Sequence, residues 1–486
     1  MAEAQAIKDL RSFLRDYEQA YPAELVRVGK EVNPASYDVS ALIKHLGAQR
    51  KFPILLFENA LDLTGRRSLV RLLMNAEITQ NKIQVALGLP ASTSRAEMGM
   101  ECIRREGAQM KPVVIPPEEA PVRQVVSVGE AASLYDLPVM RHHYMDGGPY
   151  LVMSSVLRDR QSGVHNLSYH RMEVKGPRLQ TFHASPRHAW QIFRDFEERG
   201  EECPIATVLG HHPAFNLGAA YMGPFEVDEY DVIGGYLGQP VRLVPSVTWG
   251  DRLLVPADAE IVVEGALIPG ERLVDGPFGE APGTLGPQRF NNCARYEVRA
   301  ITRRKDAMMQ SIITPEGDKP WLDLPREASY LRRCREAVPG VTAVCKWGRF
   351  SHYNIFIAMK KQSEGDPGRA AAAALTFDHS KNVFVFDDDI NVFDPTEILW
   401  ALATRVQPER QVTILKDMFK GNMLDPSLQH DIRTSAMIVD ATKPLGRPFS
   451  PVSQVPPQAM TRVRIEEFVP QEVLREIPID RTSYWA

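Results

Sequence analysis

The sequence predicts an α/β protein with three domains. Its 486 residues exceed what one core usually contains, because a domain averages ~150 residues. Between residues 125 and 315, short apolar runs alternate with glycines, which is typical of a β-barrel or a β-sandwich. After residue 325, apolar strands alternate with helical segments, which favours a doubly wound α/β domain.

The first predicted domain covers residues 1–120 and mixes helices with strands. Pro53–Phe57 is an apolar run suited to a buried strand. Ser94 and Glu97 have the spacing of a capping box, so we expect a helix from there to about Arg105. Four prolines between Lys111 and Pro121 then predict a linker, since proline interrupts helices and central strands.

The second predicted domain covers residues 121–318. Residues 262–268 and 294–302 resemble strands, and in the latter Tyr296, Val298 and Ala300 fall on one face.

The third predicted domain covers residues 319–455 and is followed by a proline-rich tail, 456–486, which we interpret as a contact between subunits. Asn382–Phe386 and Gln411–Leu415 are predicted strands. Between them, Asp394 as N-cap, Pro395 in the first turn and Glu397 at the capping-box position predict the start of a helix.

Composition excludes several classes of function. The net charge is −4 and no basic cluster stands out, so nucleic acid is not an expected partner. No apolar run is long enough for a membrane span, and the N-terminus does not resemble a signal peptide. The five cysteines are scattered without a CxxC pair, which indicates a reducing, cytoplasmic location. Neither a P-loop nor a GxGxxG motif is present.

The turn Asp275-Gly276-Pro277-Phe278-Gly279-Glu280 is the strongest chemical signal. Proline fixes φ and glycine adopts conformations closed to other residues, so the turn can hold two carboxylates close together. Close carboxylates do not both ionise readily, and one tends to keep a proton near neutral pH. The turn therefore predicts a proton donor. The competing interpretation is an ordinary turn with solvated acids.

A second group of residues, Asn166, His188 and Glu229, could bind a metal. Amide oxygen, imidazole nitrogen and carboxylate oxygen together suit an intermediate divalent cation such as Mn²⁺ better than Zn²⁺. We expect these three residues on separate strands.

Taken together, these motifs resemble the UbiD family of (de)carboxylases that depend on prenylated FMN. The resemblance rests on Asn-x-Ser-x-x-Arg at 166–171, Pro-x-His ending at His188, Glu229 followed by Gly234, and the acid-Gly-Pro-Phe-Gly-Glu turn. It extends over residues 10–455 and includes Ser380-Lys381 and the later Asp387-Asp388-Asp389. The family often has Glu where this chain has Asp275.

The resemblance implies a fold and a set of ligands. The central domain would be a split β-barrel similar to flavin reductases, holding prenylated FMN, between an N-terminal and a C-terminal α/β domain. A divalent metal, Mn²⁺ by the donor types, would be held by Asn166, His188 and Glu229, with K⁺ as a further candidate ion. A flavin prenyltransferase would supply the cofactor, and the chain would form a homodimer or a larger homo-oligomer.

The resemblance also implies roles for individual residues. The cofactor-binding positions would be Asn166, Leu167, Ser168, Tyr169, His170, Arg171, Arg187, His188, Glu229 and Lys381, the last at the phosphate. Arg171, Asp275 and Glu280 would form the catalytic network, with Glu280 as proton donor. The pocket walls are expected near Ile312-Ile313 and Met423-Leu424.

The implied reaction is reversible, non-oxidative decarboxylation of an aromatic, heteroaromatic or α,β-unsaturated carboxylic acid. Loss of CO₂ from an sp² carbon leaves an electron pair that no side chain can accept, so a cofactor must act as electron sink. Two alternatives remain: a metal-dependent hydrolase using Asn166, His188 and Glu229, and a non-catalytic subunit of a carboxylase complex. The His142-His143 and His211-His212 pairs are interpreted as packing, and Asp387–Asp389 as a turn at a strand end.

Overall fold

The computed structural model describes residues 6–285, 291–313, 319–346, 352–377, 380–420, 424–428, 433–451, 453 and 455–476. Its strands are β1 (Leu25–Val28), β2 (Ile54–Phe57), β3 (Arg71–Met74), β4 (Val113–Val114), β5 (Val125–Val128), β6 (Tyr150–Arg158), β7 (His165–Gly176), β8 (Leu179–Phe182), β9 (Cys203–Val208), β10 (Arg242–Ser246), β11 (Gly250–Pro256), β12 (Ile261–Asp275), β13 (Asn291–Arg303), β14 (Met308–Gln310), β15 (Val341–Cys345), β16 (Asn354–Met359), β17 (Asn382–Asp387), β18 (Val412–Lys420) and β19 (Arg433–Ala441).

Its helices are α1 (Leu10–Ala20), α2 (Asp38–Ala48), α3 (Gln80–Leu87), α4 (Arg95–Gly107), α5 (His188–Glu198), α6 (Pro213–Gly218), α7 (Glu229–Leu237), α8 (Lys319–Ala337), α9 (Asp366–Ala374), α10 (Pro395–Arg405), α11 (Pro408–Gln411), α12 (Pro457–Arg462) and α13 (Gln471–Glu476). None of these helices is long and apolar enough to cross a membrane.

A four-stranded sheet in the order β1-β2-β3-β14 organises the N-terminal region. The predicted strand at Pro53–Phe57 is β2, which is buried at every position. The predicted capping box forms at α4, where Ser94 and Glu97 each bond the backbone of the other. The fourth strand, β14, comes from beyond the barrel and pairs in parallel with β3, so this sheet depends on a distant part of the chain.

The proline-rich segment Lys111–Pro121 contains β4, which pairs in parallel with β10 at the edge of a small sheet. An edge position is compatible with nearby prolines. Proline has no backbone N–H to donate, and an edge strand is hydrogen-bonded to a neighbour on one side only.

Six antiparallel strands close the central barrel in the order β12-β9-β6-β7-β8-β13. Pairing between β12 and β13 completes the circle, for example Val262 with Thr302. The barrel thus has no free edge between these strands. Together with the α/β regions on either side of it, the barrel confirms the predicted fold class. As predicted, Tyr296, Val298 and Ala300 are all buried on one face of β13.

The C-terminal sheet has the order β15-β16-β17-β19-β18. Its three central strands are parallel and both edge strands are antiparallel. Separate apolar clusters cover its two faces, as expected for a doubly wound sheet. Asp394 caps α10 as predicted, but the Glu397 carboxylate accepts the N–H of Asn391 rather than that of Asp394, because the preceding turn folds across the helix start.

Helix α8 links the barrel to the C-terminal sheet and also packs along α4. Two buried or half-buried ion pairs hold α8 there. Arg95 binds Glu327 through two nitrogens, at 3.1 and 2.9 Å, and Arg332 binds Glu106. One face of α8 is therefore fixed to the N-terminal region, and another forms a wall of the cavity described next.

Candidate active site

A cavity of about 830 Å³ lies between the barrel and α8. From the barrel side it is lined by Asn166, Leu167, Ser168, Tyr169, His170, Arg171, Arg187, His188, Glu229, Phe278 and Glu280. From the C-terminal side it is lined by residues that include Arg326, Ser329, Arg332, Arg333, Glu336, His352, Phe377 and Leu424. All eleven of these barrel-side residues were singled out from the sequence, and the structure places them around the same cavity.

Strand β7 supplies the floor of this cavity. It pairs with β6 over nine positions in register, from Tyr150 with Glu173 to Arg158 with His165. This long ladder fixes the backbone that carries residues 166–171. Burial lowers the pKa of His170 to about 4, and its Nδ1 lies 3.0 Å from the His183 carbonyl oxygen, so at neutral pH this ring is an uncharged part of the wall.

Arg171 lies between the two acids of the predicted catalytic turn. Its Nη2 and Nε are 2.7 and 3.1 Å from Asp275 Oδ2, and its Nη1 contacts Glu280 Oε1. Asp275, the last residue of β12, is fully buried. The two carboxylates are thus separated by a shared guanidinium, an arrangement that the turn sequence alone did not predict.

The turn keeps its shape through glycine at two positions, for different reasons. Gly276 has φ +103°, which only glycine adopts readily. Gly279 instead has no room for a side chain, since a Cβ would lie 2.1 Å from His143 Nδ1. Between them, the Phe278 ring lies under Arg171, with the guanidinium carbon 5.2 Å from the ring centre. This cation–π contact further restrains the guanidinium.

Thr181, on β8, is a site residue that the sequence reasoning missed. Its hydroxyl donates to Asp275 Oδ1 at 2.6 Å and accepts the N–H of Glu173 at 2.8 Å. A threonine at a strand position carries no signal of this role, because only the closing of β12 onto its neighbours brings Asp275 opposite β8.

The three predicted metal-binding residues also converge. Asn166 Nδ2 donates to Glu229 Oε1 at 3.0 Å, and His188 Nδ1 is 3.9 Å from the same oxygen. The expectation of three separate strands is wrong: Asn166 lies on β7, but His188 and Glu229 are the first residues of α5 and α7. Both helices begin at the cavity, which brings the side chains of their first residues together.

The chemistry of these donors fits a divalent cation. Glu229 is only 4% exposed, and burial raises the pKa of its carboxyl group. The Asn166 amide donates a hydrogen bond to it and the His188 imidazole lies 3.9 Å away, and neither group carries a permanent positive charge. A metal ion bound here would stabilise the buried carboxylate. The amide oxygen, imidazole nitrogen and carboxylate oxygen are ligands that a divalent cation of intermediate hardness, such as Mn²⁺, accepts. Among the described residues no group of three or more His, Cys, Asp or Glu is arranged to hold a metal ion; this set instead combines one imidazole and one carboxylate with an amide.

The cavity also fits a flavin. Its volume lies towards the upper end of the ~300–1,000 Å³ typical of small-molecule sites, more than a small aromatic acid fills. Its wall combines apolar surface with Arg171 on one side and the Asn166, His188 and Glu229 group on another. A planar ring system and a phosphate can therefore both be accommodated.

Arg187 and Lys381, two further predicted cofactor residues, differ in position. Arg187 lines the cavity, and burial lowers its pKa to about 10. Lys381 precedes β17 and is not among the residues that line the cavity. Its Nζ lies 2.8 Å from Asp425 Oδ2 and also contacts Ser427. The structure therefore does not bring Lys381 to the other predicted site residues.

The C-terminal wall was only partly anticipated. Ile312 and Leu424 line the cavity, Ile313 is buried beside it, and Met423 lies outside the described residues. The polar residues of α8, Arg326, Ser329 and Arg332, were missed. Their spacing of three is a helical signal, but it equally describes any solvated helix face.

Both histidine pairs pack against neighbouring rings, as predicted. The His211 ring stacks on Phe215 at 4.1 Å, and His212 Nδ1 accepts the N–H of Ala214 at the start of α6. His142 and His143 lie in a loop against the 275–280 turn, with their rings 5.5 and 6.4 Å from the Phe278 ring. Asp387 and Asp389 pair with Arg405, consistent with a strand-end turn.

Comparison with known families agrees with this geometry. Residues 114–317 match UbiD, the 3-octaprenyl-4-hydroxybenzoate carboxy-lyase Rift-related domain. Residues 321–441 match UbiD_C, the 3-octaprenyl-4-hydroxybenzoate carboxy-lyase C-terminal domain. The chain belongs to the UbiD family. The predicted enzyme class, a UbiD-type carboxy-lyase, is thereby confirmed.

Two curated decarboxylases are similar in sequence to this chain. A phenolic acid decarboxylase of Streptomyces sp. (strain D7) is 28% identical over 491 residues, which cover 96% of this chain and 100% of the relative. An anhydromevalonate phosphate decarboxylase of Methanothermobacter thermautotrophicus is 36% identical over 319 residues, covering 65% of this chain and 74% of the relative.

Solved structures of the UbiD-class enzyme HmfF from Pelotomaculum thermopropionicum share the whole architecture. The complex with FMN is 34% identical, with a TM-score of 0.83 over 95% of this chain and 100% of that one. An evolved dimeric form in complex with prFMN is 32% identical, with a TM-score of 0.80 over the same shares. FMN and prFMN are thus bound in UbiD-class structures that this chain closely resembles.

Proposed function

We propose that this protein catalyses reversible, non-oxidative decarboxylation of an aromatic, heteroaromatic or α,β-unsaturated carboxylic acid with prenylated FMN. The observation that carries the proposal is the contact of Arg171 with both Asp275 and Glu280 at the edge of a large cavity. A cation there can bind a substrate carboxylate, and an adjacent acid can donate a proton to the carbon that loses it.

In this proposal Arg171 orients the substrate carboxylate and holds Glu280, while Asp275 and the Phe278 ring hold Arg171. Glu280, at the cavity wall, delivers the proton after CO₂ departs. Asn166, His188 and Glu229 would hold a divalent metal, Mn²⁺ by its donor set, which would bind the cofactor phosphate. The residues of β7 and Arg187 would border the flavin. The bound cofactor supplies the electron sink that side chains lack.

The cavity wall suggests which acids to examine first. The relative that matches this chain along its whole length is named for phenolic acids, so 4-hydroxybenzoic acid is the first candidate. Arg326, Arg332 and Arg333 on α8 line the other wall, each close to an acid, Asp323, Glu106 and Glu336 respectively. The name of the other relative makes a phosphorylated α,β-unsaturated acid the second candidate.

The first experiment is co-expression with a flavin prenyltransferase, followed by mass spectrometry of released small molecules. We expect prenylated FMN at near-stoichiometric amounts. CO₂ release is then measured with 4-hydroxybenzoic, 2-furoic, cinnamic and phosphorylated α,β-unsaturated acids. A folded, metal-replete protein without flavin would contradict the proposal and favour a hydrolase or a non-catalytic subunit.

Glu280→Gln tests the proton donor. We expect the variant to retain the cofactor but to lose ~10²–10⁴-fold in kcat, the range for a general acid. Glu226→Gln is a matched control, since Glu226 is exposed and close in the chain to the cavity segment 221–224. Equal turnover in Glu280→Gln and wild type would show that another group donates the proton.

Glu229→Ala tests the metal site. We expect the purified protein to lose both metal and flavin, measured by elemental analysis and absorbance, because a buried carboxylate of the donor set is removed. Asp231→Asn is the control on the same helix: its carboxylate pairs with Lys111 instead, at 2.5 Å. Full metal content in Glu229→Ala would show that other residues bind the metal.

We further propose a cytoplasmic homo-oligomer whose tail, 456–486, contributes to the subunit contact. The described residues of α12 and α13 are all at least partly exposed, in keeping with an external role. The division into 1–120, 121–318 and 319–455 remains a prediction.

A further inference from the structure

The turn that carries Asp275 and Glu280 is held at both of its glycines by carboxylates from neighbouring elements. The Gly276 N–H donates to Glu173 Oε2 at 2.9 Å, and the Gly279 N–H donates to Asp146 Oδ1 at 2.9 Å. We propose that Asp146 and Glu173 are positioning residues, which fix this turn so that Glu280 meets the substrate in a productive geometry. The proposal rests on the proposed role of Glu280.

Glu173 links the turn to the strand that supplies Arg171. The two residues are separated by two positions on β7, so their side chains leave the same face. Glu173 is 2% exposed, and its carboxylate also accepts the Tyr150 hydroxyl at 3.0 Å and pairs with Lys175 at 2.7 Å. Strand β7 therefore fixes the positions of two consecutive residues of the turn: Asp275 through Arg171, and Gly276 through Glu173.

Asp146 holds the other end of the turn. It is 1% exposed, and its Oδ2 accepts the N–H groups of His142 and His143 at 3.1 and 2.8 Å. Burial tends to raise the pKa of this carboxyl group, but the nearby His143 ring, 3.6 Å away, and the hydrogen bonds from the backbone N–H groups of His143 and Gly279 lower it below its ordinary value. Asp146 thus remains an ionised acceptor for Gly279.

The loop around Asp146 and the turn fit together without spare room. The Gly147 N–H donates to the Pro277 carbonyl at 2.8 Å. A Cβ on Gly147 would lie 2.4 Å from the Gly276 oxygen, and one on Gly279 would overlap the His143 ring. Since packed interfaces do not deform continuously, a shift of the loop must shift the turn.

Neither carboxylate lines the cavity, so neither is expected to touch the substrate. Their effect would be transmitted through backbone position, and a displacement of about 1 Å can cost ~10²-fold in rate. Loss of either carboxylate would also leave a buried N–H without its acceptor, which favours local opening of the turn.

The test compares the prFMN-loaded forms of Asp146→Ala and Glu173→Ala with wild type by hydrogen–deuterium exchange. We expect amides in a peptide covering residues 274–281 to exchange about tenfold faster or more, with the barrel strands unchanged. For the acid of the panel with the highest wild-type kcat, we expect ~10²-fold lower kcat with KM changed less than ~3-fold.

Asp159→Ala is the matched control. Asp159 is also buried and also accepts backbone N–H groups, those of Gln161 and Ser162, but in a different loop. It should alter neither exchange in the turn nor kcat. Asp146→Asn and Glu173→Gln keep one acceptor oxygen and are expected to recover most of the turnover; they also carry the test if an alanine variant does not fold.

The exchange measurement separates this proposal from the proposed function. Faster exchange of the turn in Asp146→Ala and Glu173→Ala, with no turnover of any of the acids by the wild type, would support the carboxylate contacts and count against the proposed function. Unchanged exchange and unchanged kcat in an active enzyme would overturn the positioning role. So would a loss of kcat that the asparagine and glutamine variants share fully with the alanine variants.

Discussion

Two arginines in this protein each lie between two acids, in different surroundings. Arg171 contacts Asp275 and Glu280 at the edge of the cavity. Arg405, at the end of α10, contacts Asp387 and Asp389 at 3.1 and 2.9 Å beside the C-terminal sheet. The residue types and the geometry are similar, yet we assign chemistry to only one of the two.

The difference lies in charge balance and access. Asp389 also pairs with Lys443 at 2.8 Å, and its side chain is 38% exposed, so two cations meet two acids in contact with water. Asp275 is fully buried, and Arg171 contacts both acids of the turn. The Arg171 group opens on a cavity rather than on bulk solvent. An arginine between acids thus indicates a reactive site only where a ligand can reach it and water is restricted.

Exchanging each arginine for lysine gives the largest expected contrast. Arg171→Lys should lower kcat by ~10²–10³-fold, because an ammonium group cannot reproduce the forked contact with two carboxylates. Arg405→Lys should leave kcat unchanged and lower the free energy of unfolding by about 1–3 kcal/mol. Steady-state kinetics and denaturant unfolding of both variants check this.

A loss of turnover in Arg405→Lys similar to that in Arg171→Lys would contradict the distinction between the two arginines. It would mean that the C-terminal domain communicates with the site through the end of α10. Cofactor content must be measured in both variants, so that reduced occupancy is not mistaken for slower chemistry.

A smaller effect on kcat is expected from Thr181→Val. This variant tests whether Asp275 must be held in place for turnover. Removing the hydroxyl deprives Asp275 of a 2.6 Å hydrogen bond and leaves the Glu173 N–H without its acceptor. We expect about tenfold lower kcat, consistent with one hydrogen bond to a charged group.

Thr207→Val is the control for that variant. Thr207 is equally buried in the same barrel, but its hydroxyl contacts Ser155 and Met172. If both valine variants lose turnover alike, the effect reflects barrel packing rather than the support of Asp275.

The smallest effect concerns the acid stability of the Arg405 group. Burial opposes ionisation of Asp389, but hydrogen bonds from Arg405 and Lys443 lower its pKa to about 2. Its contribution to stability is therefore present above its ordinary pKa near 4 and is lost as the pH falls towards 2.

Asp389→Asn should remove this contribution. We expect a loss of about 1 kcal/mol or less at pH 7, because the group is partly exposed, and a shallower decline of stability between pH 4 and 2. Unfolding curves of wild type and variant across that range check the sign. A variant that becomes relatively less stable as the pH falls would contradict it.

Local signals in the sequence were sufficient for many elements. The β2 strand, the capping box of α4 and the N-cap of α10 depend on neighbouring residues, so the pattern and the structure agree. Glu397 differs because its acceptor role depends on how the preceding turn folds. The addition of β14 to the N-terminal sheet could not be predicted, since its partner lies more than two hundred residues away.

The site shows the same division. The turn was singled out from its own residues, because its two acids and two glycines are contiguous. The cofactor roles of residues 166–171 and of Lys381 came from the resemblance; all of 166–171 line the cavity, whereas Lys381 pairs with Asp425. Thr181, Asp146 and Glu173 were missed because each acts across strands or loops, where spacing along the chain carries no information.

The sequence by itself determined the chemical inventory of this protein: the acid pair on a glycine-bounded turn, the arginine, and the amide, imidazole and carboxylate donors. Only the tertiary structure decided that the arginine lies between the acids and that two of the predicted metal donors begin helices. It also decided that carboxylates outside the cavity hold the turn. The physical reason is that residue types are fixed by the chain, whereas charge balance, burial and access arise when distant segments pack together.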